Sequence, residues 1–108
     1  MDIFQAIADP TRRSIVAHLK NVPDQSITHL SENQSISRQA ISRQAISKHL
    51  KILIDADIIT KKKQGRHSLH TLNPEPLKEI AYWLAPYAEL WDQRLSNLQT
   101  FLGEQHDK

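Results

Sequence analysis

Ser42-Arg-Gln-Ala-Ile-Ser-Lys-His-Leu-Lys-Ile-Leu-Ile-Asp-Ala56, followed after Asp57 by Ile58-Ile-Thr-Lys-Lys-Lys-Gln-Gly-Arg-His-Ser-Leu-His-Thr-Leu72, is the stretch on which the fold turns. In its first half Ile46, Leu50 and Leu53 recur at i, i+4 and i+7, which predicts a helix with one buried stripe. Ser47, Lys48 and Lys51 fall off that stripe. In its second half a β-rich run over 58–63, a Gln64-Gly65 turn and a returning run over 66–72 predict a β-hairpin. Pro74 and Pro76 close the hairpin and open a long helix from about Leu77 to Leu102, which Pro86 should kink or split near Ala85.

Working towards the N-terminus, Ser26 reads as the cap of a third helix running from Ile27 to about Asn33 and burying Ile27 and Leu30. Asn21 to Gln25 form a turn. Before it, Asp9 caps a helix from Pro10 to about Lys20, with Pro10 at the first position, where its missing donor costs nothing. Ile15, Val16 and Leu19 are its apolar face. Residues 2–8 make a short opening helix with Ile3, Phe4 and Ile7 on one side. The fold expected is therefore mainly α with a small β-hairpin, in the order α-α-α-α-β-β-α. That is a winged helix-turn-helix in which helices three and four form the helix-turn-helix and the hairpin is the wing.

Length and composition agree. At 108 residues there is room for one domain, expected over 1–108, with 77–102 as a C-terminal dimerisation helix. The absence of cysteine excludes disulfides, thiolate metal sites and a Cys nucleophile. No apolar stretch reaches the ~18–20 residues that span a bilayer, and an acid at Asp2 replaces the basic start of a signal peptide. A cytoplasmic protein with no membrane partner is expected. There is no Gly-rich phosphate loop, nucleophile elbow or acid pair, so neither an enzyme nor a cofactor is expected.

The net charge of +2 conceals an asymmetry. Residues 37–70 hold eight Lys/Arg against two Asp, a net +6, while the remainder hold six against ten, a net −4. A charge run is often only a solvated face. Here it coincides with a helix and a hairpin, which together make a nucleic-acid footprint.

Three segments also resemble ArsR-type bacterial repressors. Phe4-Gln-Ala-Ile-Ala-Asp-Pro-Thr-Arg-Arg-Ser-Ile-Val resembles their opening, and Ser42-Arg-Gln-Ala-Ile-Ser-Lys-His-Leu-Lys-Ile-Leu resembles their recognition helix. Lys63-Gln-Gly-Arg-His to Leu72-Asn-Pro-Glu-Pro-Leu resembles their wing and the entry to the last helix. The resemblance spans most of residues 3–95 and implies a homodimeric repressor that releases its operator on a signal. It also implies comparison with metal sensors, which use cysteines near the third helix or an Asp/His/Glu set on the last. This chain has no Cys, and Asp92 is followed by Gln93 and Arg94 with His106 far off. A non-metal-sensing member is expected. Asp57 stands where the family usually has Gly, at a position that often needs a left-handed backbone.

The last departure from the family is a repeat. Residues 36–40 and 41–45 are both Ile-Ser-Arg-Gln-Ala, and Ile46-Ser-Lys-His-Leu continues as a looser third copy. We read a five-residue tandem duplication at the start of the recognition helix. Five residues leave a helical phase error of ~140°, so both copies cannot share one stripe. Either the first copy becomes a lengthened turn or irregular helix start, the outcome we favour, or the fourth helix starts early and extends ~7 Å towards the DNA. Either outcome threatens DNA binding.

The residues expected to contact double-stranded DNA are Arg38, Gln39, Ser42, Arg43, Gln44, Ser47, Lys48, His49 and Lys51 from the reading head. Lys61, Lys62, Lys63 and Arg66 join them from the wing. Arg can bridge guanine and Gln adenine, each worth ~1–3 kcal/mol of discrimination. Of the two Arg-Gln pairs, Arg43 and Gln44 keep the register to Lys48. The wing lysines should touch phosphate, although lysines also protect edge strands from pairing. His49 either packs between helices or lies near phosphate. Arg12 and Arg13 either touch backbone phosphate or form an internal ion pair. Leu84, Ala88, Trp91, Leu95, Leu98 and Leu102 step by 4, 3, 4, 3, 4 and read as a homodimer seam, joined by Ile3 and Phe4. Tyr82, Trp83, Tyr87 and Trp91 read as dimer core sooner than as a pocket for a small-molecule inducer.

The function expected is a homodimeric repressor gripping an inverted-repeat operator through recognition helix 42–56 and wing 58–72. The alternatives are a winged-helix protein–protein module, a duplication variant with impaired DNA binding or, third, a metal-responsive repressor.

Overall fold

The computed structural model describes the backbone of residues 1–39 and 41–106, and the side chains of 1–39, 41–94 and Asn97. It divides into two compact units, Met1–Leu77 and a second beginning at Lys78. Helix α1 (Ile3–Ala6) is capped by Asp2, whose carboxylate accepts from Gln5 N at 2.8 Å while the Gln5 side chain accepts from Asp2 N. Helix α2 (Pro10–Asn21) starts at Asp9, which accepts from Arg12 N at 3.0 Å. Both starts follow from a short acceptor side chain placed before a helical run.

The helix-turn-helix region differs from the sequence expectation in one element. Helix α3 (Ile27–Glu32) begins at Ser26 as expected but stops one residue short of Asn33. Asn33 is extended, and its side chain accepts from Ile36 N at 3.2 Å, so the same residue ends α3 and caps an unforeseen one-turn helix α4 (Gln34–Ser37). Helix α5 (Arg43–Asp55) then starts afresh from Ser42, whose hydroxyl accepts from Ala45 N at 3.1 Å. The repeat is thus broken into two elements. Ile36 and Ser37 finish α4, Arg38 and Gln39 form a turn, and only the second copy enters the recognition helix. Helix α5 keeps its register and does not start early. The 140° conflict disappears because no single helix carries both copies.

Helix α5 ends at a left-handed residue. Asp57 has φ +62°, Ile58 N returns to Leu53 O at 2.9 Å, and Asp57 N reaches Ile54 O at 2.9 Å. This is the αL helix ending usually served by glycine, with Leu53 and Ile58, both fully buried, as its apolar pair. Strands β1 (Ile59–Gln64) and β2 (His67–Leu72) pair antiparallel from Ile59 opposite Leu72 to Gln64 opposite His67. The turn is Gly65-Arg66, one residue later than expected. Gly65 has φ +62° and Arg66 does not share the positive φ, the pattern of a type II′ turn with Gly at its first central position. Gln25 adds a single antiparallel bridge to His70.

The core of this unit gathers Ile3, Ile15, Leu19, Leu30, Ile36, Ile46, Leu50, Leu53, Ile58 and Ile59, so every element from α1 to β1 contributes. Ile27, expected to be buried, is half-buried.

A 3₁₀ turn (Glu75–Leu77) completes the first unit, and α6 (Lys78–His106) forms the second. Helix α6 is continuous across Pro86 rather than split near Ala85. Proline removes one backbone donor, and in the same stretch the Trp83 and Tyr87 rings meet at i, i+4 with centroids 5.4 Å apart.

Candidate nucleic-acid interface

On α5 the apolar stripe faces inward and leaves Arg43, Gln44, Ser47, Lys48 and Lys51 exposed. At ~100° per residue, Gln44, Ser47, Lys48 and Lys51 span an arc of about 100° centred roughly opposite Ile46, Leu50 and Leu53. Ser42 and Arg43 lie at the free N-terminal end, where the unpaired N–H groups and the positive pole of the helix point outward. Arg38 is exposed in the turn ahead of them.

The hairpin sorts its lysines by face, since alternate residues of a strand point oppositely. Lys61 and Lys63 lie opposite His70 and Ser68, and Lys62 lies opposite Leu69. A cleft of about 380 Å³ separates α5 from the hairpin. Ser47, Lys51 and Asp55 line it from the helix, and Lys61, Ser68 and His70 from the strands. Recognition helix and wing therefore present cations to one space. Lys62, on the other face, places its Nζ 3.7 Å from Asp24 Oδ1. Asp24 is held at φ +58° by Thr71, whose hydroxyl donates to it at 2.8 Å. Arg66 is exposed at the turn.

His70 closes the back of the cleft at 2% exposure. Its Nδ1 lies 2.8 Å from the carbonyl of Gln25, which fixes the proton on Nδ1. Burial pushes its pKa below the usual histidine value, Lys61 adds to that, and the Gln25 bond opposes it without prevailing. The ring is neutral at pH 7.

Two of the residues expected to touch DNA are turned towards α2 instead. Gln39 of the first repeat copy accepts a hydrogen bond from the Thr11 hydroxyl and donates to Ser14 Oγ at 3.0 Å. His49 is half-buried, with Nδ1 3.3 Å from Arg12 Nη1 and 3.8 Å from Asp9 Oδ2, so it takes the packing option of its two. Arg12 and Arg13 bond to backbone carbonyls, not to the ion-pair partner expected as the internal alternative. Arg12 Nε and Nη2 donate to Ala6 O and Gln5 O at 2.6 and 3.2 Å, and Arg13 donates to Ile7 O at 2.9 Å. These cations satisfy the carbonyl end of α1, where a helix favours positive charge. Burial raises the Asp9 pKa, but the Arg12 N–H and the charges of His49 and Arg12 outweigh it and hold the carboxyl below its usual value.

The run Asp9-Pro-Thr-Arg-Arg thus caps α2, clamps α1 and ties both to the reading head. Sequence reasoning found its cap. It missed Thr11, Ser14 and His70, whose partners lie in distant segments and leave no local signal.

Ile3, expected at a dimer seam, is buried in the core of the first unit, and Phe4 is partly exposed. Among the described residues of α6 the exposed large apolar side chains are Tyr82, Trp83, Tyr87, Leu90 and Trp91, while Leu84 and Ala88 are half-buried. The side chains of Leu95, Leu98 and Leu102 lie outside the described residues. Among the described residues no three His, Asp or Glu could hold a metal ion, and no helix is long and apolar enough to cross a membrane.

Comparison with known proteins bears on this geometry. No family model matches the chain. The chain is 32% identical over 94 residues to the transcriptional repressor SdpR of Bacillus subtilis, covering 87% of this chain and 98% of that one. It is 37% identical over 84 residues to YuzN, a helix-turn-helix transcriptional regulator of the same organism, covering 72% and 86%. Among solved structures it is similar to an ArsR family transcriptional regulator with TM-score 0.65 and 32% identity over 83% of this chain and 87% of that one. An ArsR-like regulator from Rhodococcus matches with TM-score 0.62 and 31% identity over 92% and 88%.

Proposed function

Because the chain belongs to the ArsR family of DNA-binding transcriptional regulators, we propose that it is a homodimeric repressor that grips an inverted-repeat operator with α5 and the wing. The observation that carries this reading is the cleft that Lys51 and Lys61 line together, because it turns the recognition helix and the hairpin towards one ligand surface. Arg43 and Gln44 supply base contacts, with Ser42 and Ser47 beside them. Lys48, Lys51, Lys61, Lys63 and Arg66 supply phosphate contacts, which set register and affinity. Arg38 reaches the backbone from the preceding turn.

Dimerisation uses the exposed face of α6 formed by Trp83, Tyr87, Leu90 and Trp91. Such a row of aromatics in so small a chain marks a partner surface. The pairing sets two α5 helices ~34 Å apart in successive major grooves. The protein acts in the bacterial cytoplasm, belongs to the members that do not sense metal, and owes its repeated pentapeptide to a tandem duplication.

Fluorescence anisotropy with a duplex from the chain's own upstream region, at 50 and 200 mM salt, tests the reading. Selective binding that falls ~10³–10⁵-fold with salt supports a dimer making six to ten phosphate contacts. Equal, weak binding to that duplex, to duplexes selected from a random pool and to a random control refutes it. Light scattering of the free protein reports the dimer, and Trp91→Ser should shift it towards monomer.

A further inference from the structure

The two copies of Ile-Ser-Arg-Gln-Ala are chemically identical and sit in different surroundings. In the first, Ile36 is fully buried and Gln39 is half-buried against α2. In the second, Ile41 is half-buried, Ser42 caps α5, and Arg43 and Gln44 are exposed. The third, looser copy repeats the pattern of the first. Ile46 is buried, and His49, at the position of Gln39 and Gln44, again meets α2 through Arg12 and Asp9.

Both donors of the Gln39 amide and one acceptor site of its oxygen are engaged. Its oxygen accepts from Thr11, its nitrogen donates to Ser14, and a longer bond of 3.4 Å reaches Ser35 O. Ser14 directs its own proton to Pro10 O at 3.1 Å. A side chain with both ends of its amide engaged on a neighbouring helix has no donor and acceptor pair left for adenine.

Gln39 also stands three residues before the Ser42 cap. Three residues of chain reach at most about 10 Å, so the bond to α2 limits where α5 can begin. His49 fixes the same helix further along. Both tethers end at the start of α2, on Asp9, Thr11, Arg12 and Ser14. Between them lies the second copy, whose glutamine meets solvent rather than α2.

We infer that the copies divide the work. Gln39 of the first copy is a positioning residue that anchors the reading head to Thr11 and Ser14 of α2, and Gln44 of the second is the residue that reads bases. The inference rests on the DNA-binding reading above and narrows it, because an Arg-Gln pair that sequence cannot tell apart is assigned by geometry to two different jobs.

Thr11 makes the test clean. It is 6% exposed, so its hydroxyl cannot touch DNA, and any effect of removing it on DNA binding travels through the anchor. The wild-type chain would first select its tightest duplex from a randomised pool. Anisotropy titrations would then compare that duplex with its single-base variants for wild type, Gln39→Ala, Gln44→Ala, Thr11→Val, Thr11→Ser and the double variant Thr11→Val with Gln39→Ala.

Gln39→Ala and Thr11→Val should each weaken binding about three- to tenfold, the value of one or two hydrogen bonds, by the same factor on every duplex. Thr11→Ser should restore wild-type binding, and the double variant should be no weaker than Gln39→Ala alone. Gln44→Ala should instead lose about tenfold of discrimination at one base pair of each half-site and leave the others unchanged.

The division of labour is overturned if Gln39→Ala flattens preference at a single base pair, or if the Thr11 and Gln39 effects multiply. It is also overturned if Thr11→Val binds like wild type while Gln39→Ala does not. Should Gln39→Ala fail to fold by circular dichroism, Gln39→Glu takes its place, since it keeps the acceptor for Thr11 and loses the donor to Ser14. A wild-type chain that enriches no duplex refutes the DNA reading itself and this inference with it, a failure visible before any variant is made.

Discussion

Lys61, Lys62 and Lys63 are consecutive, identical and exposed, yet they should differ in what they contribute to DNA binding. Lys61 and Lys63 share the hairpin face opposite His70 and Ser68, and Lys61 lines the cleft shared with α5. Lys62 projects from the other face to within 3.7 Å of Asp24, with 65% of its side chain exposed. Each phosphate contact contributes about 0.9 to the slope of log affinity against log salt. Replacing Lys61 and Lys63 together by Gln should therefore reduce the slope by about 1.8 per copy of the chain. Over the fourfold salt change from 50 to 200 mM, that shrinks the loss of affinity roughly 12-fold per copy. Lys62→Gln should leave the slope nearly unchanged. It should also cost little stability, since exposed ion pairs are worth about 0–1 kcal/mol. Asp24→Asn is the reciprocal test. It keeps an acceptor for Thr71 while freeing Lys62, and should also leave the slope nearly unchanged, because the freed Lys62 still projects from the other face of the hairpin. Anisotropy titrations at four salt concentrations measure all of this. The reasoning fails if Lys62→Gln flattens the slope as much as Lys61→Gln or Lys63→Gln does singly.

Stability measurements probe the elements that hold this face in place. Asp57→Gly should stabilise the chain by roughly 0.5–1 kcal/mol in urea unfolding and Asp57→Ala should destabilise it, because φ +62° favours Gly over Asp and Asp over Ala. The Asp57 N–H donates to Ile54 and its carbonyl accepts from Asn73, and Gly and Ala keep both of these backbone groups. An order other than Gly, Asp, Ala would contradict the strained C-cap. Ser42→Ala should cost about 1 kcal/mol for the lost cap, and Ser37→Ala, the same residue of the first copy, much less because its hydroxyl bonds back to Gln34 O and caps no helix start. Equal losses would mean that the copies are not in the two environments described. Stability should also fall as pH drops below 6.5. The unfolded His70 ring takes its proton near that value, while the buried ring resists until a lower pH, so unfolding takes up a proton in between. His70→Leu should flatten the dependence in this window, and an unchanged slope would show that another group causes it.

Much of the fold could be read from short-range pattern. Asp9-Pro10, Ser26 and Ser42 each announce a helix start through a side chain acting three residues away. The Ile46, Leu50, Leu53 stripe is likewise local, and so is the hairpin turn, which the sequence places one residue early. What escaped depends on partners far apart in sequence. Lys62 reads as a DNA contact alongside Lys61 and Lys63, because its Asp24 partner belongs to the turn before α3, far from it in the chain. Arg12 and Arg13 resemble phosphate ligands until the carbonyl end of α1 is seen to lie beside them. Helix α4 escaped for a different reason. Asn33 can stop one helix or start another, and composition does not distinguish the two.

The repeat is where local reasoning fails outright, and the failure has a physical cause. Identical pentapeptides have identical propensities, so any rule confined to five residues must assign both copies the same state. The structure makes one copy the end of a short helix and a turn, and the other the start of a long helix. What separates them is context on either side. Upstream, the Asn33 cap fixes where α4 begins, and Thr11 and Ser14 supply partners that only one glutamine can occupy. Downstream, Ile46, Leu50 and Leu53 must face the core together, which sets the phase of α5 and leaves Ser42 at its cap. A phase error of ~140° cannot be absorbed within a regular helix, but it costs little across a turn. The helix-turn-helix contains a break between α4 and α5, and each copy of the repeat falls on the side of it where its partners are.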